Sequence, residues 1–181
     1  MKQRANISIY SKILILITGM CLAPTLLATN KVVLMGADGK QHAVSDYIGK
    51  GTWTLVNFWG VHCPPCREEM PELVLLHDKY NKTLVSVLSI AIGFPSFGYP
   101  DKDEVRAFLK EYMVDFPVLF GNESIATKLG ADALEGLPTT LMYTPEGKLV
   151  AEQTGAINQQ IILDFIKKYN KKHKIKKNTK K

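Results

Sequence analysis

Cysteine is scarce in this chain. Its 181 residues hold three. Cys21 lies in an N-terminal apolar stretch, and Cys63 and Cys66 stand two residues apart. With Cys21 set aside, a scaffold stapled by several disulfides is excluded. Histidine is scarce too: His42, His62, His77 and His173 are scattered, so no zinc-type ligand set is clustered in sequence. Asp and Glu are absent from Lys167 to the end, a stretch with nine lysines. That stretch accounts for the formal net charge of +6, and without it the body is close to neutral. The basic balance is therefore local and does not indicate a nucleic-acid-binding domain. No internal repeat is present. A long apolar run is also lacking: the one at residues 13–17 continues only with interruptions to Ala28, short for a membrane span.

Lys2, Arg4 and Lys12 precede that run, the basic-then-apolar order of a secretory signal. Residues 1–28 are expected to be a signal peptide or a membrane anchor, with Ala28 as the cleavage position. Bulky Met20 before Cys21 is wrong for a lipoprotein site. Residues 29–170 then form one domain, and a hydrophobic content of 46% supplies a core. Residues 171–181 are expected to be a disordered lysine-rich tail, the other reading being contact with anionic lipid or an acidic partner.

The body alternates strand and helix signals. Residues 31–46 read as a β-hairpin around Ala37-Asp38-Gly39-Lys40. Residues 54–59 read as a buried strand, and 64 to about 80 as a helix with Pro71 inside it, where a kink is expected. A run too apolar to be exposed on either face spans 83–92, as in a parallel sheet covered by helices. Asp101 or Asp103 can cap a helix running to about Tyr112. A strand at 118–120 and a short helix at 124–129 follow. Strands at 139–144 and 149–154 flank the turn Pro145-Glu146-Gly147-Lys148, and Asn158 caps a last amphipathic helix. The order after the hairpin, β-α-β-α-β-β-α, is that of an α/β domain with a mixed central sheet flanked by helices.

The chemistry sits in Phe58-Trp59-Gly60-Val61-His62-Cys63-Pro64-Pro65-Cys66. Two cysteines stand where a buried strand ends and a helix begins. Pro64 and Pro65 suit the first helical positions, which require no N–H. Cys63 then lies at the positive end of a helix, which lowers a thiol pKa, and the thiolate is the reactive form. This strand–turn–helix setting separates a redox pair from a metal knuckle. Cys63 is expected to be the exposed nucleophile and Cys66, one turn in, the resolving thiol. Glu69 follows Cys66 by three residues on the same helical face. The two prolines leave Cys66 and Arg67 as the first N–H donors for a Cys63 thiolate, which argues against a very strong oxidant.

Three landmarks resemble the thioredoxin superfamily, in its exported TlpA/ResA-like branch. They are Leu55-Val56-Asn57-Phe58-Trp59-Gly60 leading into Cys63-Pro64-Pro65-Cys66-Arg67-Glu68-Glu69-Met70-Pro71-Glu72-Leu73, then Phe116-Pro117-Val118-Leu119, then Gly136-Leu137-Pro138-Thr139-Thr140 with Gly155 beyond. The resemblance implies a thioredoxin fold with an added N-terminal hairpin and a cis Pro138. It implies a substrate-facing surface of Trp59, His62, Pro64, Pro65, Leu137 and Pro138, with the backbone of Leu137 pairing with substrate. It also implies that Glu69 tunes the protonation of the cysteines, since Asn57 stands where many thioredoxins carry a buried acid. No cofactor beyond the Cys63–Cys66 couple is implied. The partners implied are client protein thiols and disulfides and a membrane thiol-reducing donor, with no nucleic acid. A periplasmic location follows, and cytochrome c maturation is one pathway of this kind. His62 departs from the branch, which usually has Trp before the first cysteine.

Other members of the superfamily set alternatives. A peroxiredoxin needs Thr where Gly60 stands. A copper-delivery protein usually has a Cys-x-x-x-Cys pair and a distant His ligand. A thiol oxidase or isomerase would use the same pair in another direction, and a binding module would not use it at all.

Overall fold

The computed structural model describes residues 31–178, with side chains as far as His173. The leader expected at 1–28 and Cys21 lie outside the described residues, as does the end of the lysine stretch. Strands β1 (Val33–Gly36) and β2 (Gln41–Ala43) form the hairpin. Asp38 accepts the Lys40 N–H at 3.0 Å, and Gly39 takes a φ of 80°, a value that favours glycine. After a 3₁₀ turn at Val44–Asp46 come β3 (Trp53–Trp59), α1 (Pro64–Tyr80) and β4 (Val85–Ala91). Then follow α2 (Lys102–Glu111), β5 (Val118–Phe120), α3 (Ser124–Lys128), β6 (Thr139–Tyr143), β7 (Leu149–Thr154) and α4 (Gln159–Asn178).

The strands make one mixed sheet in the order β2-β1-β5-β4-β3-β6-β7. β3, β4 and β5 are parallel, β6 is antiparallel to β3, and the hairpin joins antiparallel to β5. This is the thioredoxin fold that the resemblance implies, with the hairpin extending one edge. All seven residues of β3 are buried, which requires cover on both faces. Its odd-numbered residues face α1, α2 and α4. Trp53 meets Phe165 and Tyr169 edge-on, Asn57 bonds to Glu69, and Trp59 packs on Phe108. Tyr143, opposite Thr54, faces the other way and donates to the Leu129 carbonyl after α3.

Two expectations need correction. Trp59 is not a substrate-facing residue: it is fully buried, with its ring centroid 4.9 Å from that of Phe108, because it ends a central strand rather than opening the loop beyond it. Helix α1 runs unbroken through Pro71, whose ring sits at an exposed position and whose missing N–H forfeits the bond to the Arg67 carbonyl. The last helix does not stop near residue 170 but runs to Asn178. Buried Ile162 and Ile166 anchor its first half, and the stretch beyond has no Gly or Pro to end it, while lysine is a good helix former.

Helix α2 brings Phe108 to Trp59, and its start is held by a capping box. Asp101 accepts from the N–H of Asp103 and Glu104, and Glu104 accepts from the Asp101 N–H at 3.0 Å. Asp101→Ala should lower the unfolding free energy by about 1 kcal/mol in urea denaturation. An unchanged midpoint would mean that the cap does not hold this helix.

Candidate active site

The site forms where three segments end together: the C-terminal end of β3, the head of α1 and the start of β6. Cys63 is the N-cap residue of α1, and Pro64 and Pro65 fill the first two helical positions. Cys63 and Cys66 are joined in a disulfide with Cα atoms 5.3 Å apart. The Cys66 N–H donates to Cys63 Sγ at 3.3 Å, whereas the Arg67 N–H goes to the Cys63 carbonyl at 3.1 Å. So of the two donors expected for a Cys63 thiolate, one reaches the sulfur and the other is spent on the helix. The expectation of an exposed Cys63 is not met in the disulfide form: both cysteines are 0% exposed.

The Leu137–Pro138 bond is cis, and both residues are buried. Gly60 lies close to this loop. A Cβ at position 60 would stand 3.3 Å from Leu137 Cδ1, 3.2 Å from the Ile92 carbonyl oxygen and 3.9 Å from Cys63 Cβ. Sequence reasoning noted Gly60 only as a missing Thr, and its spatial role went unseen. Pro64 is exposed and Pro65 half-buried beside the pair. His62 is half exposed and turns to α2, its Nε2 3.8 Å from Glu104 Oε2.

Glu69 is 2% exposed, unlike its exposed neighbour Glu68. Its Oε1 accepts from Asn57 Nδ2 at 2.8 Å, and its Oε2 accepts the Ile157 N–H at 3.0 Å. Asn57 Nδ2 also donates to Thr140 Oγ1 at 3.2 Å. One turn further along α1, Glu72 accepts the Gln159 N–H at 3.1 Å, so two glutamates of α1 hold the segment that opens α4. Burial raises the Glu69 carboxyl to about 7, against the opposing pull of the bonds from Ile157 and Asn57. A group with that value gives and takes protons near neutral pH. Thr140 and Ile157 were not identified from sequence, since both lie far along the chain from Glu69.

No group of three or more His, Cys, Asp or Glu that could hold a metal is found among the described residues. The arrangement can exchange a disulfide at Cys63 and hold a proton at Glu69, one helical turn beyond Cys66.

The family model described as the AhpC/TSA family matches residues 23–152. Thiol-disulfide oxidoreductase ResA of Bacillus subtilis (strain 168) is 33% identical over 134 residues, spanning 74% of this chain and 69% of that protein. ResA of Geobacillus thermodenitrificans (strain NG80-2) is 32% identical over 130 residues, spanning 72% and 69%. Among solved structures, the thiol:disulfide interchange protein of Chlorobium tepidum TLS superposes with a TM-score of 0.64 at 21% identity, covering 76% of this chain and 91% of that one. The pneumococcal exposed lipoprotein thioredoxin of Streptococcus pneumoniae strain TIGR4 gives 0.60 at 26% identity, covering 76% and 98%.

The raised carboxyl has a consequence for stability. The unfolded chain releases the Glu69 proton near the ordinary value of 4.5, and the folded chain near 7. Between these the native state binds more protons, so stability falls as pH rises from 4.5 to 7, by roughly 3 kcal/mol at most. Urea denaturation of the oxidised protein across that window should show this slope, and Glu69→Gln should flatten it. Equal slopes in the two proteins would remove Glu69 as the group concerned. Because both Glu69 oxygens accept, Gln must turn its NH₂ toward one donor, so the variant should also be less stable at pH 4.5.

Proposed function

The chain belongs to the AhpC/TSA family of the thioredoxin superfamily, and from its ResA-like relatives and the site just described we propose that it is an exported thiol–disulfide oxidoreductase that reduces disulfides in client proteins. The observation that carries this reading is the Cys63–Cys66 disulfide at the head of α1, with the cis Leu137–Pro138 loop packed alongside at Gly60.

The Cys63 thiolate attacks one sulfur of a client disulfide. A mixed disulfide forms and the client's other sulfur leaves as thiolate. Cys66 passes its proton to the Glu69 carboxylate, and its thiolate attacks Cys63 Sγ. The client's second sulfur leaves and takes up a proton. Two electrons have moved from the Cys63/Cys66 dithiol to the client. The couple itself carries them, so no further cofactor enters the reading. Reduction of the resulting disulfide by a membrane thiol donor completes the cycle, and apocytochrome c is one client class that fits.

The preference for reduction rests on the donor count at Cys63. Pro64 and Pro65 have no N–H, and Cys66 alone reaches the sulfur. The thiolate is sparsely stabilised, and strong oxidants draw their power from a stabilised reduced form. Oxidase or isomerase activity is the reading that a high potential would favour. A peroxidase is disfavoured by Gly60, since any side chain there would press on the Ile92 carbonyl. Copper delivery is disfavoured by the Cys-x-x-Cys spacing and by His62, which pairs with Glu104. The substrate surface in this reading is Pro64, Pro65, His62 and the Leu137–Pro138 backbone. The exposed Lys167, Lys168, Lys171 and Lys172 of α4 suit contact with anionic lipid near the donor. The sequence of residues 1–28 supports export.

Cys66→Ser should trap mixed disulfides with clients, and Cys63→Ser should trap few. Equal trapping would reverse the two roles. A redox titration of the couple should give a potential nearer −270 mV than −120 mV, each 30 mV being about tenfold in the exchange equilibrium. A value above roughly −160 mV would assign the protein to thiol oxidation instead. The unmutated protein should also catalyse insulin reduction by dithiothreitol, and a binding module would not.

A further inference from the structure

Asn57 is fully buried in the middle of β3 and makes an unusual set of bonds. Its amide nitrogen donates twice, to Glu69 Oε1 at 2.8 Å and to Thr140 Oγ1 at 3.2 Å. Its carbonyl oxygen Oδ1 is buried with no hydrogen-bond partner. An orphaned buried acceptor costs about 1–3 kcal/mol. A leucine of similar shape would fill the space and avoid that cost. Flipping the amide would not help, because Oδ1 would then face the Glu69 carboxylate. The side chain is thus oriented by what its NH₂ supplies.

We propose that Asn57 is a positioning residue for the Glu69 carboxylate, and that Thr140, two residues after the cis proline, holds Asn57 in turn. The carboxyl is then tied on one side to the strand that carries the Leu137–Pro138 loop and on the other, through Ile157, to the segment that opens α4. This deepens the oxidoreductase reading and rests on it for the use of the proton. The groups bonded to Glu69 from other elements are neutral, Asn57 of β3 and the Ile157 N–H before α4, and Thr140 of β6 stands behind Asn57. On its own helix the ionisable groups at hand are Cys63 and Cys66 before it, Glu68 beside it, which is exposed, and Glu72 after it, which is turned to Gln159. In the disulfide form, burial raises the Glu69 carboxyl while the bonds from Ile157 and Asn57 pull it down. Loss of the Asn57 N–H therefore removes one of the two opposing pulls.

The test uses the full chain and two readouts. One is the ¹³C titration of the Glu69 carboxyl by NMR in the oxidised protein, which needs no turnover. The other is the pH profile of single-turnover reduction of a small disulfide by the reduced protein. Asn57→Leu should raise the Glu69 midpoint by about one unit and move the pH–rate profile up with it. Thr140→Val should shift both in the same direction by less, and Thr140→Ser should restore the original midpoint. An Asn57→Leu protein that folds, by circular dichroism, and titrates as the unmutated chain does would overturn the proposal. So would a uniform loss of rate at every pH with no shift in midpoint. If Asn57→Leu does not fold, the Thr140→Val and Thr140→Ser pair decides: identical midpoints in the two sink the proposal. Should the carboxyl shift as expected while no variant, nor the unmutated chain, exchanges disulfides, the Asn57 assignment stands and the oxidoreductase reading falls.

Discussion

A carboxyl group with almost no access to water, and with no ion pair among the described residues, sets the terms for the rest of this molecule. Among the described residues Glu69 accepts from two neutral donors, one from β3 and one from the backbone before α4. Burying an unpaired ionised carboxylate is so unfavourable that the group holds its proton to about pH 7. That single compromise links fold and chemistry. The donors force β3, α1 and the start of α4 into fixed relation, and the raised midpoint gives the helix bearing the cysteines a group that exchanges protons at neutral pH. A cation beside Glu69 would stabilise the charged form and remove that property. A fully apolar site would hold the proton too tightly.

The donor economy at Cys63 works the other way. Most helix N-termini offer several free N–H groups, and a thiolate placed there is strongly stabilised. Here two of those positions are proline, and Arg67 N–H bonds to the Cys63 carbonyl rather than to sulfur. The helix end still supplies its dipole, but only the Cys66 N–H touches the reactive atom. Few donors thus meet the Cys63 sulfur, while a carboxyl raised to about 7 lies one helical turn beyond Cys66.

What the sequence shows of this arrangement is what local physics controls. The Cys63–Cys66 pair, the hairpin at Gly39, the cap at Asp101 and the strands 118–120 and 149–154 follow from short-range spacing and turn chemistry. The cis Pro138 is legible only through resemblance. Glu69 is legible as a helical neighbour of Cys66, but its donors are not: Asn57 is 12 residues away, and Ile157 is 88. Thr140, 83 residues from Asn57, reads as an ordinary strand residue. Trp59 misleads because an apolar residue next to a reactive loop suits either a surface or a core, and only the packing of α2 decides. The extent of α4 is hidden for a different reason. A lysine run is compatible with both a helix and a solvated coil, and charge alone does not distinguish them.

Burial of the disulfide has a mechanistic consequence. With Cys63 at 0% exposure, no partner thiolate can approach the Cys63 sulfur without displacing its cover. Leu137 is buried near this end of the site: a Cβ on Gly60 would stand 3.3 Å from Leu137 Cδ1 and 3.9 Å from Cys63 Cβ. Leu137 is also the residue whose backbone is read as pairing with substrate. Exchange at Cys63 therefore requires that the packing around the disulfide open first.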